Sequence, residues 1–119
     1  MPDYALIIIE TPTSRAAISR DRQAHRAALT QWMSERAAEG VLLGGEAFET
    51  ERIAPVTVRR IDQAIIVDPA PHHAGPESLG GYVLIRADNM NEATDVAKTW
   101  PPSGETIEIR PLWIAPPPA

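Results

Sequence analysis

The 119-residue chain contains no cysteine. A disulfide framework, a thiolate metal site and a cysteine nucleophile are thereby excluded, and the absence fits a reducing cytoplasm, which is the expected compartment. Long hydrophobic runs are missing too. The opening MPDYALIIIE holds an acidic residue and only a short apolar stretch, so it reads as neither a signal peptide nor a membrane span. No Lys/Arg cluster stands apart from one mixed-charge helical segment, and the formal net charge is −5. A nucleic-acid partner needs a basic face, so that class is disfavoured. Phosphate-loop and nucleophile-elbow patterns are absent as well. Gly44-Gly45 and Gly80-Gly81 do not sit between a strand and a helix, and GPESLG lacks the Gly-x-Ser-x-Gly spacing.

What is present describes an ordinary globular protein, 44% hydrophobic and 23% charged, long enough for one core and too short for two. One domain over residues 1–119 is expected. Twelve prolines are many for this length, but they concentrate in loops and in the closing APPPA. Residues 116–119 are expected to form an extended, fraying tail.

Tyr4 to Glu10 is β-branched and apolar and predicts a strand ended by Thr-Pro-Thr. About Ser19 to Glu39 lacks Gly and Pro and is rich in Ala, Arg, Glu and Gln, which predicts one long helix. Ile18, His25, Ala28, Leu29 and Trp32 fall at helical spacing and mark its buried stripe. VLLGGEAF reads as a strand whose glycines relieve crowding, bulge the sheet or make room for a ligand. Val56 to Asp68 reads as a hairpin turning at Asp62-Gln63, and residues 69–78 as a loop. LGGYVLIRA is a strand, Asn91 to Trp100 a short helix, and Thr106 to Ile114 a last strand.

The order β-α-β-β-β-β-α-β defines an α+β fold: a ferredoxin-like antiparallel sheet, two helices on one face and an extra hairpin. Its strands are apolar on both sides. Leu6 and Ile8 oppose Ile7 and Ile9, and Tyr82 and Leu84 oppose Val83 and Ile85. An antiparallel sheet with one wet face alternates apolar and polar residues instead. A second copy is the simplest cover for the second face, so a homodimer through the sheet is expected. Trp32, Trp100 and Trp113 are expected to anchor the core and that interface.

LLGGEAF after a long helix, a hairpin ending in Asp-Pro, LGGYVLI and the ending IEIRPLW together resemble YCII-related proteins of the DGPF subgroup, from Tyr4 to about Trp113. The resemblance implies a dimeric α+β barrel, with a His and an Asp near the sheet mouth as an enzymatic pair. Relatives of that barrel include small monooxygenases, isomerases and dehalogenase-like enzymes. The subgroup's signature loop differs here, as DPAPHHAGPESLGGY, one residue longer. Asp68 matches the motif Asp, Pro71 the Pro and Glu77 the second Glu. Its Phe, first Glu, Thr and Lys have no counterpart.

His25, in RQAHRAAL, matches the Arg-x-x-His of the family's first helix. Its spacing from Leu29 and Trp32 turns it toward the sheet, as a general acid or base or as a structural histidine bonded to a loop carbonyl. Asp68 either assists His25 or forms a turn, and Glu77 is a lesser candidate for the same work. His72 and His73 invite a metal, but adjacent histidines in an extended loop point apart and no His-x-His pair supports one. Arg22 and Arg26 form a weak candidate anion site. The leading expectation is a small enzyme acting on a small organic ligand through His25 and Asp68, without metal or organic cofactor. The alternatives are a non-catalytic homodimeric ligand-binding or assembly module, and a cofactor-free monooxygenase of the wider barrel group.

Overall fold

The structure is a computed structural model that describes residues 3–113. Ile114 and the Pro-rich tail lie outside the described residues. Strand β1 (Asp3–Glu10) leads into α1 (Pro12–Arg20) and α2 (Arg22–Ala38), then β2 (Leu42–Ala47). A hairpin of β3 (Thr57–Ile61) and β4 (Ala64–Asp68) follows, and β5 (Ser78–Arg86), α3 (Met90–Ala97) and β6 (Thr106–Pro111) complete the chain.

The expected fold is present with one helix more than the sequence suggested. Thr-Pro-Thr opens a helix where it was expected only to end a strand. The Thr11 hydroxyl accepts from the Ser14 backbone N–H at 3.0 Å, and the Ser14 hydroxyl accepts from the Thr11 N–H at 2.8 Å. Pro12 follows at a first-turn position, where its missing N–H costs nothing. The expected long helix is α2, which begins at Arg22 rather than about Ser19. Asp21 leaves helical geometry, caps the end of α1, and accepts from the Ala24 N–H at 3.0 Å to start α2.

The main sheet has the order β2-β5-β1-β6, all neighbours antiparallel, while β3-β4 pair only with each other. The register puts Leu6 beside Val83 and Ile109, and Ile8 beside Gly81 and Ile107, on one face. There Tyr4, Leu6, Ile8, Val83 and Ile85 are buried with Trp32 of α2 and Ala93 of α3. Trp32 meets Trp100 edge-on, ring centroids 4.9 Å apart. Trp113 departs from its expected anchoring role within this chain, since it is 81% exposed.

Ile7, Ile9, Tyr82 and Leu84 stand on the opposite face, where no helix of the chain packs. The molecule measures 54 × 47 × 18 Å with a radius of gyration of 16.6 Å. A compact chain of this length would have roughly 13–14 Å. The β3-β4 hairpin packs substantially on no other element and stands apart from the main sheet as an arm. Asp62 turns it with a left-handed φ of 55°, a conformation that Asp tolerates.

Candidate functional site

Among the described residues, cavities open beside the sheet in two places. The first, about 600 Å³, lies on the helix side between α2, the ends of β1 and β5, and the segment after β2. His25 lines it, with Ile18, Leu29, Met33 and Trp100 as apolar walls. One turn into α2, His25 faces inward and is half-buried. Among the described residues its ring makes no hydrogen bond, and no carboxylate oxygen comes within 4.0 Å of it.

Asp68 does not share this cleft. It ends β4, opposite Thr57, exposed on the arm, and it lines neither cavity. Two sheet glutamates line the cleft, Glu46 of β2 and Glu10 at the end of β1. The Glu10 Oε1 accepts from the Thr50 hydroxyl at 3.4 Å. Its Oε2 is buried with no hydrogen-bond partner and has Arg15 Nε 3.5 Å away. Arg15 is itself fixed across the end of β5, donating to the Pro76 carbonyl at 2.9 Å and the Ser78 hydroxyl at 2.6 Å.

Gly80 makes this placement possible: a Cβ there would sit 2.8 Å from Glu10 Cγ. Gly81 and Gly45 serve the sheet instead, since a Cβ on either would lie 2.6 Å from a backbone oxygen of the neighbouring strand. The expectation that the paired glycines relieve crowding therefore holds at Gly45, Gly80 and Gly81, whereas a Cβ on Gly44 would meet nothing within 4 Å. Glu10 went unremarked in the sequence because it reads there as the polar end of an apolar strand. The signal that could have found it was LGGY, whose first glycine has no backbone demand of its own.

Five glutamates line the cleft against three arginines and His25. The Arg22 guanidinium is committed to Glu51, and Arg52 to Glu49 at 3.2 Å, which leaves only Arg26 of the two residues considered from sequence as an anion site without a salt bridge among the described residues. The backbone N–H groups of Arg52 and Glu51, with the Arg52 side chain, hold the Glu49 carboxyl below the usual carboxylate range. Glu105 accepts from Trp100 Nε1 at 3.0 Å and the Ser103 hydroxyl at 2.6 Å, fixing the indole at one wall.

The second cavity, about 750 Å³, lies at the root of the arm. Ile9, Phe48, Pro55, Pro71 and Leu79 make it apolar, and Glu77, His72 and His73 stand on its edge. Among the described residues no three His, Cys, Asp or Glu side chains are grouped to hold a metal ion.

An antiparallel sheet backed by helices on one face, with a histidine cleft beneath them, defines a ferredoxin-like α+β protein. The profile of the YCII-related domain family matches residues 3–114, nearly the whole chain, and the chain belongs to that family. Comparison with curated proteins finds no match. Among the described residues no helix is long and apolar enough to cross a membrane.

Proposed function

We propose that the helix-side cleft binds a small organic molecule and that His25 exchanges a proton with it, without an organic cofactor. One observation carries this reading. His25 lines a cleft of about 600 Å³ while its ring nitrogens bond to no described protein group, which leaves them to a bound molecule. Within one chain the assisting carboxylate is Glu10, which shares the cleft. Asp68 on the arm and Glu77 at the second cavity would assist only from a second copy.

The charge balance narrows the ligand. With Arg22 and Arg52 paired, Arg26 the one lining arginine in no salt bridge among the described residues, and glutamates in excess, the cleft favours a neutral molecule bearing an acidic proton over an anion. Phenol and benzoate are matched probes, equal in ring and different in charge. In NMR spectra of protein labelled at His and Trp, phenol is expected to shift the His25 ring and Trp100 indole signals, and benzoate to shift them several-fold less. Shifts confined to His72 and His73, or none at His25, would contradict the reading.

A second reading, a homodimeric module, is favoured by a separate observation: Ile7, Ile9, Tyr82 and Leu84 on the sheet face that no helix of the chain covers. A second copy packed on this face would bury them and leave the His25 cleft open on the other side. The two readings are compatible.

A further inference from the structure

Of the five glutamates that line the cleft, Glu49 and Glu51 are taken up by Arg52 and Arg22, Glu105 holds Trp100 and Ser103, and Glu46 is exposed. Glu10 is half-buried and is held differently at each oxygen. It stands two residues beyond Ile8, on the helix face of β1. Its Oε2 is buried with Arg15 Nε 3.5 Å away, and Arg15 lines neither cavity. Its Oε1 has other neighbours. The Thr50 hydroxyl is 3.4 Å away and a Cβ on Gly80 would be 3.2 Å away, and both residues line the cleft.

We propose that Arg15 is a positioning residue of the cleft: it anchors Glu10 through Oε2, so that Oε1 accepts a hydrogen bond from a second donor group of the ligand. The proposal rests on the reading of the cleft as a ligand site for His25 and adds the ligand's second polar group. The register sets Ser78 opposite Glu10, and Arg15 of α1 spans the pair. Its Nε faces Glu10, its Nη1 donates to the Pro76 carbonyl at 2.9 Å, and its Nη2 donates to the Ser78 hydroxyl at 2.6 Å. A planar guanidinium reaches all three partners from one fixed position, which a lysine ammonium does not. Each of its nitrogens is committed within the protein, so Arg15 acts on a ligand only through Glu10.

The chemistry of Oε1 narrows the ligand further. A carboxylate paired with arginine only accepts hydrogen bonds, so whatever meets it from the cleft is a donor. The Thr50 bond at 3.4 Å is long for a hydroxyl, and a closer donor replaces it at little cost. The ligand class is therefore a neutral molecule with two donor groups, one for His25 and one for Glu10, and dihydric phenols are the simplest probes of it.

Titration with phenol and with catechol, resorcinol and hydroquinone, followed at the His25 and Trp100 signals, tests this. At least one of the three diols is expected to bind the unaltered protein about tenfold more tightly than phenol, the effect of one hydrogen bond to a charged group. Arg15→Met is expected to remove that gain and to leave phenol binding unchanged. Ser78→Ala, which takes away the Nη2 acceptor and leaves Arg15 and Glu10 in place, is expected to lose part of the gain, and it carries the test if Arg15→Met does not fold. Diols that bind no more tightly than phenol, or a gain kept in full by the variants, would overturn the proposal and leave the His25 reading standing. Phenol and diols weakened alike would make Arg15 a structural clamp only and overturn it too. Phenol that shifts neither His25 nor Trp100 removes the His25 reading, and this proposal with it.

Discussion

Gly80 and Gly81 are adjacent in one strand and are glycine for different reasons. At Gly80 the obstacle is the Glu10 side chain, which can swing away. At Gly81 it is the Glu46 carbonyl, which is fixed by the ladder, and the backbone there has a φ of 156°. Gly80→Ala is therefore expected to cost about 1 kcal/mol and to displace the Glu10 carboxylate. Gly81→Ala is expected to cost about 3 kcal/mol through strain and crowding against backbone. Urea unfolding of the two variants checks the difference, and equal losses would show that Glu10 is held as rigidly as the sheet. At this scale His25 was legible because helical spacing alone turns it inward. Glu10 was hidden because its position depends on a glycine seventy residues away, in a strand whose pairing no local pattern reveals.

Among the elements, the strands were the most readable, because β-branched runs bounded by Gly and Pro have few alternatives. The long helix was read from about Ser19 and begins at Arg22, while α1 before it went unread. Composition is uniformly helix-forming across Arg20 to Arg22, and only the cap at Asp21 reveals the break. The Asp21 carboxylate accepts the Ala24 N–H at 3.0 Å while its own N–H reaches the Ile18 carbonyl at 3.2 Å. Asp21→Ala is expected to cost about 1 kcal/mol. Asp21→Asn, which keeps the acceptor, is expected to cost a few tenths of that. Thermal unfolding of both variants measures it, and identical losses would mean that charge rather than capping matters. The break also has a consequence for the site. It lets α1 carry Arg15 toward Glu10 and β5 while α2 carries His25 over the cleft from a different direction.

For the whole molecule, two surfaces divide the work. The helix side holds the core and the His25 cleft; the other side presents an open apolar sheet and an apolar arm. The two-sided strands were visible in the sequence as isoleucine, leucine and valine without polar alternation. The isolation of the arm was not, since a hairpin reads the same whether it joins the main sheet or leaves it. That isolation also decides where Asp68 lies. Its match to the motif Asp of the resembled family suggested a place at the site, but β4 carries it away on the arm. What covers the open side therefore decides the assembly. Sedimentation equilibrium at micromolar concentration measures this directly. A species of twice the 13.0 kDa chain mass is expected, and a single 13.0 kDa species over that range would contradict the account.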